Sequence, residues 1–294
     1  MGSVKGNVVF ITGGARGIGA EVARQLYAKG AKLVLTDLDK VALQDIASDL
    51  DGDRVLTLVA DVRDLASMEV AVSRAVGQFG GVDVVIANAG ISTYGTVLNV
   101  QPAAFKTLID VNVLGVFHTV RAALPSVIDR RGYVLVVSSM FAYAAQPGAA
   151  SYCLSKAGVE HFANALALEV AHFGVDVGSA HMGFIDTPMI QDIGSDLASF
   201  RTALSKLPGP MGKTTSVQAC AGAFVNGIER RKRRIYCPRW VGALRWLRPV
   251  LTTSAAETQV RKGLPELLSQ MDAEADAIGR SMGKRTEALE KEEK

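Results

Sequence analysis

The chain has 294 residues, 49% of them hydrophobic and 21% charged, which suffices for one large α/β domain with an appended segment. Its formal net charge of +3 is too small to predict a nucleic-acid partner. The three cysteines, Cys153, Cys220 and Cys237, have no paired spacing, so we expect reduced thiols and neither a disulfide framework nor a metal site. We recognise no secretory signal and no apolar run near the ~18 residues that span a bilayer, and expect a cytoplasmic protein.

Short β-branched runs alternate along the chain with longer segments of helical periodicity. The predicted strands are Val8–Thr12, Leu33–Thr36, Val55–Val59, Val82–Ala87, Tyr133–Ser138 and Val175–Ser179. The predicted helices are Ile18–Lys29, Lys40–Leu50, Leu65–Phe79, Ala103–Ile128 and Ser151–Phe173. This alternation predicts a doubly wound parallel sheet with helices on both faces. We expect Gly30 to end the first helix, and Asp64 and Ser151 to cap the third and fifth.

The second half of the chain departs from this alternation. Residues 183–212 contain three prolines and no clear periodicity, so we expect a long substrate loop there. A helix over Val217–Glu229 and a strand over Arg234–Cys237 complete a sheet of about seven strands. Residues 241–294 form a C-terminal extension that is basic and aromatic at first. From Ala255 its weak apolar periodicity predicts a charged helical tail, either solvated or dependent on a partner.

A glycine-rich turn follows the first predicted strand, with the sequence Thr12-Gly13-Gly14-Ala15-Arg16-Gly17-Ile18-Gly19. Gly13 permits a tight turn, Gly17 lets a pyrophosphate approach the backbone, and Gly19 lets the helix pack close to the sheet. The helix that starts at Ile18 offers free N–H groups and a positive dipole end to phosphates. Glycines alone also fit an ordinary turn, but their place between strand and helix predicts a dinucleotide site.

Asp37 ends the second predicted strand, 18 positions beyond Gly19, near the ~20-residue offset of an acid that binds the adenosine ribose hydroxyls. A carboxylate there repels a 2′-phosphate, which favours NAD over NADP. Arg16 could offer a 2′-phosphate a cation, so NADP stays open as an alternative. The other residues expected in this crevice follow the third and fourth strands and are Asp61, Val62, Asn88, Ala89 and Gly90.

Three polar side chains near the fifth predicted strand form a candidate catalytic set. Ser139 follows the strand, and Tyr152 and Lys156 stand four residues apart on one face of the next helix. A fixed cation favours the phenolate of a tyrosine and brings its pKa from ~10 toward neutrality. Tyr152 could then exchange a proton with an alcohol or ketone oxygen while Ser139 stabilises the charge on that oxygen. Lys156 would also reach the nicotinamide ribose, although such a Tyr–Lys spacing is by itself more often a surface pair.

Together these motifs resemble those of the short-chain dehydrogenase/reductase family in order and spacing. The matching residues are Thr12, Gly13, Gly17, Ile18, Gly19, Asn88, Ala89, Gly90, Asn112, Ser139, Tyr152 and Lys156. The match covers about residues 5–240. It implies a Rossmann-like fold and a homo-oligomer formed through the long helices after the fourth and fifth strands. It also implies that Asn112 holds a water that links Lys156 to solvent.

The resemblance further implies a nicotinamide contact after the sixth strand. The family usually has Pro-Gly there and then a threonine. This chain has Met182 in place of the proline, but Gly183, Ile185 and Thr187 are in register. We therefore expect Thr187 and the backbone of Ile185 to contact the cofactor.

Largely apolar residues are expected around the substrate, namely Met140, Phe141, Tyr143, Ile91–Tyr94 and the Pro188–Pro210 loop. They favour a hydrophobic alcohol or ketone, although the same side chains could simply pack the loop. Beyond them, the basic run Arg230–Arg234 precedes Trp240 and Trp246, which interleave with arginines. This composition is that of a surface that meets anionic lipid headgroups, so a peripheral membrane contact is one interpretation. The run could equally be a charged helix end, and the tryptophans could pack on another subunit.

The sequence thus predicts that residues 1–240 form a dinucleotide-binding and catalytic domain. Its expected activity is that of an NAD-dependent oxidoreductase that interconverts a secondary alcohol and a ketone, or an alcohol and an aldehyde, on a hydrophobic substrate, with Tyr152 as general acid and base. One alternative is an NADP-dependent carbonyl reductase. The other is a non-catalytic dinucleotide-binding scaffold or sensor that acts through its C-terminal segment. The complete set of Ser139, Tyr152 and Lys156 argues against a sensor, which needs no proton-transfer tyrosine.

Overall fold

The computed structural model describes residues 2–50 and 52–292. A central sheet contains the strands β1 (Val8–Thr12), β2 (Lys32–Asp37), β3 (Val55–Val59), β4 (Val84–Ala87), β5 (Tyr133–Val137), β6 (Asp176–Met182) and β7 (Arg234–Cys237). Neighbouring strands all pair in parallel, in the order β3-β2-β1-β4-β5-β6-β7. The doubly wound parallel sheet predicted from the sequence is confirmed.

Helices cover both faces of the sheet. They are α1 (Gly17–Ala28), α2 (Lys40–Asp49), α3 (Leu65–Phe79), α4 (Pro102–Ile109), α5 (Gly115–Asp129), α6 (Ala150–Glu169), α7 (Pro188–Asp196), α8 (Ala198–Lys206), α9 (Val217–Glu229), α10 (Val241–Leu251), α11 (Ser254–Arg261), α12 (Leu264–Ile278) and α13 (Lys284–Glu292). Helices α1, α2 and α9 bury one face of the sheet, and α3, α5 and α6 bury the other. Every residue of β1 and β5 is therefore buried, as in a strand covered on both sides.

The strand order reverses beside β1, because β2 pairs with one of its edges and β4 with the other. In open α/β sheets the ligand crevice lies outside the carboxyl ends of the strands at such a point. The glycine turn follows β1 there, Asp37 ends β2, and Asp61, Asn88 and Ser139 follow β3, β4 and β5. The topology thus brings the predicted site residues to one edge of the sheet.

Two of the three predicted helix-end residues have the expected geometry. Gly30 follows α1 with φ of 87°, and Asp64 caps α3 by accepting a backbone hydrogen bond of 3.0 Å. Ser151 does not cap α6, because the helix already begins at Ala150. Its hydroxyl lies instead 2.6 Å from the Thr93 hydroxyl.

The predicted helix Ala103–Ile128 is a continuous rod in which Asp110–Leu114 take the wider π-helical form. The rod Pro102–Asp129 is, by length and composition, long and apolar enough to cross a membrane. In this fold 44% of its most apolar window is buried, and it packs against α3 and α6. Part of the rod therefore belongs to the core, and the cytoplasmic location stays a prediction.

Residues 183–212 are not the irregular loop that their prolines predict. Pro188 is the first residue of α7, where a missing N–H loses no helical hydrogen bond and a fixed φ suits a helix start. Pro208 and Pro210 follow the end of α8 at Lys206. The prolines thus delimit two short helices.

The tail of the chain is packed against the rest of the protein. Helix α12 contacts α7 and α8. Asp272 accepts hydrogen bonds from the N–H and the hydroxyl of Thr96 at 2.8 and 2.7 Å. Glu274 accepts one from the Ser199 hydroxyl at 2.6 Å. We call residues 264–289 the C-terminal cap; the expectation of a solvated or partner-dependent helix is wrong for it.

Candidate active site

The turn between β1 and α1 depends on backbone conformations that favour glycine. Gly13 and Gly17 have φ of 62° and 53°. A Cβ on Gly19 would lie 2.2 Å from the carbonyl oxygen of Gly13, so only a glycine lets α1 start this close to the turn. Arg16 at the N-cap makes no side-chain capping hydrogen bond. The first N–H groups of α1, beginning with those of Gly17 and Ile18, therefore remain available to a phosphate.

Asn88 ties the glycine turn to β4. Its side-chain Nδ2 donates to the carbonyl oxygens of Thr12 and Gly13 at 2.9 and 3.0 Å. In return, the Thr12 hydroxyl oxygen accepts the N–H groups of Asn88 and Ala89 at 3.1 and 3.2 Å. These four hydrogen bonds hold the phosphate-facing turn in one shape.

Two carboxylates and one guanidinium meet where β2 ends. Asp37 accepts the N–H of Ala15 at 3.2 Å, and burial raises the pKa of Asp37. Asp39 caps α2 and lies 2.6 Å from Nη2 of Arg16. Burial acts to raise the pKa of Asp39, but the hydrogen bonds from Ala42 N–H and Arg16 hold it below its usual value. Sequence reasoning missed Asp39, although an aspartate just before a predicted helix is a typical cap.

A cleft of about 310 Å³ runs along this edge of the sheet. The predicted site residues that line it are Gly13, Arg16, Gly17, Ile18, Asp37, Asp61, Val62, Asn88, Ala89, Gly90, Tyr152, Lys156 and Thr187. Gly19, Asn112 and Ile185 are not among its lining residues. Ile185 is packed in the core, where its carbonyl accepts the Thr187 hydroxyl at 3.3 Å. The turn that lacks the family's proline is held by Gly183 N–H, which donates to the Cys237 carbonyl at 2.8 Å.

Tyr152 stands where this cleft meets a second cavity. The ring of Phe141 packs edge-on against it, with centroids 6.2 Å apart. Burial raises the pKa of Tyr152 to about 12, and the hydrogen bond with Ser139 partly opposes this shift. Ser139, which also lines the cavity, begins the turn after β5 and accepts the Phe141 N–H at 3.3 Å.

Lys156 lies one helical turn beyond Tyr152. Its Nζ is 5.5 Å from the Tyr152 ring centroid and donates to the Val137 carbonyl at 3.0 Å. Burial lowers the pKa of Lys156 to about 8. The expectation that this cation brings the Tyr152 pKa toward neutrality is wrong for this structure, because burial of the phenol is the larger effect.

Asn112 lies in the π-helical segment beside Lys156. A Cβ on Gly90 would be 3.3 Å from Asn112 Oδ1 and 3.4 Å from Lys156 Nζ, so glycine leaves room for both groups. Asn112 Oδ1 accepts the Ile91 N–H at 2.8 Å, while Nδ2 donates to the Ile91 carbonyl at 2.9 Å and to Ser155 Oγ at 3.2 Å. The side-chain amide thus holds the loop after β4, and its role with a water stays a prediction.

A buried polar network behind Ser139 was missed by sequence reasoning. His181 Nδ1 lies 3.2 Å from the Ser139 carbonyl oxygen. Its Nε2 is 3.0 Å from the Tyr143 hydroxyl and 2.9 Å from Ser179 Oγ. The Tyr143 hydroxyl also donates to Glu160 at 3.0 Å. Burial lowers the pKa of His181 to about 4, so this ring is neutral near pH 7 and supports the Ser139 turn by hydrogen bonding.

The second cavity, of about 110 Å³, opens from Tyr152 and is mostly apolar. Its larger side chains are Tyr94, Phe141, Phe184, Met189, Ile190, Ile193, Leu197, Phe200, Leu267, Leu268 and Met271. Phe141, Ser92–Tyr94 and the segment Pro188–Pro210 were expected there, the last as a loop and not as the helices α7 and α8. Met140 and Tyr143 were expected as well, but both are buried behind the wall, and Ile91 lines the cleft instead.

The C-terminal cap closes both spaces. Leu267, Leu268 and Met271 of α12 line the cavity, while Arg285 and Leu289 of α13 line the cleft. Sequence reasoning missed the position of α12 and α13 because it judged the apolar periodicity over the whole tail at once. Within α12 alone, apolar residues recur at the spacing of one helical face: Leu264, Leu267, Leu268, Met271, Ala275 and Ile278.

Polar contacts fix the cap over the cavity. Arg280 and Asp196 form an ion pair of 2.6 Å, and their side chains are only 16% and 14% exposed. The Tyr94 hydroxyl bonds both to Asp196 at 3.1 Å and to the Met282 carbonyl at 2.8 Å. The Ser281 carbonyl accepts the Tyr94 N–H at 2.9 Å.

Comparison with known families matches a model described as short chain dehydrogenase to residues 7–198. That range contains the glycine turn, Asn112, Ser139, Tyr152 and Lys156. The chain belongs to the short-chain dehydrogenase family. The cap of this short-chain dehydrogenase lies outside the matched range.

Curated relatives include three bacterial oxidoreductases. The oxidoreductase UcpA of Salmonella typhimurium is 36% identical over 197 residues, which cover 66% of this chain and 74% of UcpA. An uncharacterised NAD-dependent oxidoreductase of Mycobacterium tuberculosis is 35% identical, and the match covers 65% of this chain and 75% of that protein. Cis-2,3-dihydrobiphenyl-2,3-diol dehydrogenase of Paraburkholderia xenovorans is 34% identical, and the match covers 76% of this chain and 83% of that enzyme.

A solved structure supports the assignment of the fold. It is a short-chain dehydrogenase/reductase from Burkholderia phymatum in complex with NAD, with a TM-score of 0.77 and 23% identity. The likeness covers 85% of this short-chain dehydrogenase and 95% of the other chain. The Rossmann-like fold that the sequence resemblance implies is confirmed.

Proposed function

We propose that this short-chain dehydrogenase is an NAD-dependent enzyme that interconverts a secondary alcohol and a ketone on a hydrophobic molecule. The position of the Tyr152 phenol carries the proposal. The phenol stands at the junction of a cleft with dinucleotide features and an apolar cavity that Ser139 also lines. A hydride acceptor on one side and an apolar substrate on the other would therefore meet at one acid–base group.

The residues along the cleft fit NAD. Gly13 and Gly17 of the glycine turn carry no side chain beside the first N–H groups of α1, which suits a pyrophosphate. The Asp37 carboxylate ends β2, where an adenosine ribose would lie. Arg16, the cation considered for a 2′-phosphate, is already paired with Asp39. A relative is named NAD-dependent and a solved neighbour holds NAD, which supports the same cofactor here.

When bound, NAD supplies the hydride acceptor or donor of the reaction. In oxidation, Tyr152 accepts the hydroxyl proton; in reduction, it donates a proton to the ketone oxygen. Because its pKa is about 12, Tyr152 is protonated near pH 7 and is ready to act as the acid. Ser139 hydrogen-bonds the same oxygen, and the Lys156 ammonium favours the phenolate that reduction leaves behind.

The shape of the cavity supports a hydrophobic substrate. Three aromatic rings form one wall, with Phe141 and Phe184 centroids 5.8 Å apart and Phe184 and Phe200 also 5.8 Å apart. The cap adds Leu268 and Met271 opposite them. Such a lining favours a molecule whose only polar group is the alcohol or ketone held at Tyr152 and Ser139.

Two alternatives make different demands on the same residues. An NADP-dependent reductase would need Arg16 to leave Asp39 and the Asp37 carboxylate to tolerate a 2′-phosphate. A non-catalytic dinucleotide sensor has no use for a tyrosine placed, with a serine, between the cleft and an apolar cavity. Both alternatives are separated from the proposal by cofactor binding and turnover.

The test is a fluorescence titration with NADH and NADPH, followed by turnover on a panel of apolar secondary alcohols and ketones. We expect wild type to prefer NADH and to turn over at least one class. Tyr152→Phe should bind NADH as wild type does but lose about 10²–10⁴-fold in kcat. Tyr133→Phe is the matched control, because its buried hydroxyl bonds the Lys232 carbonyl far from the cleft. If Tyr152→Phe kept full turnover, the proposed role of Tyr152 would be wrong.

We also propose that the chain forms a homo-oligomer through the long helices after β4 and β5. Exposed apolar side chains run along this rod and α6, namely Leu114, Phe117, Leu154 and Leu168. Sedimentation velocity tests it: Phe117→Glu with Leu154→Glu should shift an oligomer to monomers, and a wild-type monomer would refute it.

A further inference from the structure

The geometry points to a second binding surface, formed by α10 and the adjoining edge of the sheet, that docks on an anionic lipid bilayer. Its apolar part is the outer stripe of α10, which consists of Ala243, Trp246, Leu247 and Val250. Its charged part is the basic edge beside β7, which consists of Arg230–Arg234 and Arg239. This surface includes none of the residues assigned to the reaction.

The outer stripe is an apolar helix face that no described part of the chain covers. Its residues stand at i, i+3, i+4 and i+7, so they share one side of α10. Trp246, Leu247 and Val250 are 76%, 46% and 57% exposed, whereas Val241 and Leu244 on the other side are buried. The Arg245 guanidinium lies 4.9 Å from the centre of the Trp246 ring. Tryptophan with a cation beside it is typical of the bilayer interface.

The charge around this stripe is concentrated and mainly positive, although Arg231 pairs with Asp176 and Arg234 lies 3.7 Å from Glu160. Residues 230–256 contain eight Lys and Arg and no Asp or Glu. Because the formal net charge of the whole chain is +3, the other residues sum to −5. A groove of about 620 Å³ beside β7 is lined by Arg230, Lys232, Arg234 and Arg239. Phosphate or carboxylate headgroups would compensate this charge next to the apolar stripe.

A bilayer fits this surface better than a second copy of the chain. The strand β7 is the edge of the sheet. A twofold interface places the same patch on both partners, so it would bring two basic edges together. Nucleic acid would neutralise the charge but would offer no apolar phase to Trp246 and Leu247. An anionic bilayer offers both.

Docking there would place the substrate cavity near the lipid. The buried side of α10, with Val241 and Leu244, packs in one cluster with Phe141, Phe184 and Phe200 of the cavity wall. A hydrophobic substrate dissolved in the bilayer would therefore have a short path to Tyr152. That consequence rests on the proposed function, whereas the docking itself does not.

The chain offers its own optical probe, since it has two tryptophans. Trp240→Phe removes an indole N–H that is buried without a hydrogen-bond partner among the described residues, and leaves Trp246 as the single fluorophore. With vesicles of phosphatidylcholine and phosphatidylserine we expect the Trp246 emission to shift to the blue and the protein to co-sediment. Pure phosphatidylcholine should bind it far more weakly, and added salt should weaken the binding to mixed vesicles.

Two variant pairs separate the parts of the surface. Arg230→Gln with Arg239→Gln should lower the partition coefficient about 25-fold, at about fivefold per basic side chain. Leu247→Glu with Val250→Glu should lower it by more than about tenfold. The matched control is Val41→Glu with Val70→Glu, which changes similarly exposed valines on α2 and α3 and should leave binding unchanged.

The outcomes divide cleanly. Tyr152→Phe should bind vesicles as wild type does, so a failure of the proposed reaction would not imitate a failure of docking. The inference is overturned if wild type ignores mixed vesicles or if the control pair weakens binding as much as the stripe pair. It is also overturned if the Trp246 emission shifts to the blue when only the protein concentration is raised, without vesicles, and Leu247→Glu dissociates a dimer.

Discussion

The glycine turn and the C-terminal cap enclose the same reaction centre but are held in different ways. The turn is fixed by the conformation of its own main chain, with Gly13 and Gly17 at positive φ, and by the Asn88 side chain, which donates to two of its carbonyl groups. The cap is fixed by side chains, such as the Arg280–Asp196 pair and the Asp272–Thr96 bonds. Main-chain geometry restricts which residues are allowed at a position, so it leaves a recognisable motif in the sequence. Contacts between side chains of distant segments leave no such motif.

The same contrast separates the two ligand sites. The cleft for the dinucleotide lies mainly within the range that the family model matches, whereas part of the cavity wall comes from α8 and α12 beyond residue 198. The cofactor cleft thus lies mainly in the part of the chain that matches the family model, whereas Phe200 and the α12 side chains of the cavity wall lie beyond that part. Substitutions in the two regions should therefore affect binding of the two ligands separately.

The largest expected effect is at the turn. Gly19→Ala places a Cβ against the Gly13 carbonyl, so we expect NADH binding to be lost and the free energy of unfolding to fall by about 3 kcal/mol. Fluorescence titration and urea denaturation measure the two effects. Gly77→Ala in α3, where nothing lies within 4 Å of the added Cβ, should instead stabilise by about 0.5–1 kcal/mol. Normal NADH binding by Gly19→Ala would break the comparison.

The next largest effect is expected at Lys156, whose ammonium group is buried between the two regions. Lys156 has a pKa of about 8 when folded, against 10.5 as the ordinary value. Between these values the unfolded chain binds more protons, so stability rises with pH across that window. Lys156→Met should therefore raise the free energy of unfolding at neutral pH by roughly 3 kcal/mol, while abolishing turnover.

That advantage should fade as the pH rises from about 8 to 10.5. Urea denaturation across this range checks it, with Lys106→Met as control, because Lys106 is exposed and paired with Asp110. An advantage that stays constant with pH would mean that packing, and not the charge, sets the stability at position 156.

A smaller effect should appear in cofactor preference. Asp37→Ser removes the carboxylate that repels a 2′-phosphate, and adding Asp39→Asn frees Arg16 to bind one. We expect the ratio of kcat/KM for NAD to that for NADP to fall about tenfold for the single variant and about 100-fold for the double variant. Adding Arg16→Ala to the double variant should cancel the further fall in this ratio that Asp39→Asn causes. An unchanged ratio would show that other residues select the cofactor.

The smallest expected effect tests the cap. Met271→Ala removes part of the cavity wall and should raise KM for an apolar substrate about tenfold, with the Kd for NADH unchanged. Ser269→Ala, on an exposed position of the same helix, should change neither constant. Weaker NADH binding by Met271→Ala would mean that the cap shapes both sites together.

The sequence predicts most of what depends on local rules. The alternation of strands and helices, the N-terminal capping of α3 by Asp64 and the glycine turn follow from spacing and residue type. The His181 network does not, because it joins residues from β6, α6 and the turn after β5 that are close only in the folded chain. The raised pKa of Tyr152 was missed for the same reason, since burial depends on every neighbour. The face of α12 could have been found by treating that helix separately.

The order of the chain has a consequence for its synthesis. A ribosome completes all strands of the sheet, through Cys237, before it makes residues 264–289. Domains fold as they emerge, N-terminal parts first. The glycine turn can therefore form while the polypeptide is still being translated, whereas the hydrophobic cavity stays open to chaperones and solvent until the cap emerges from the exit tunnel.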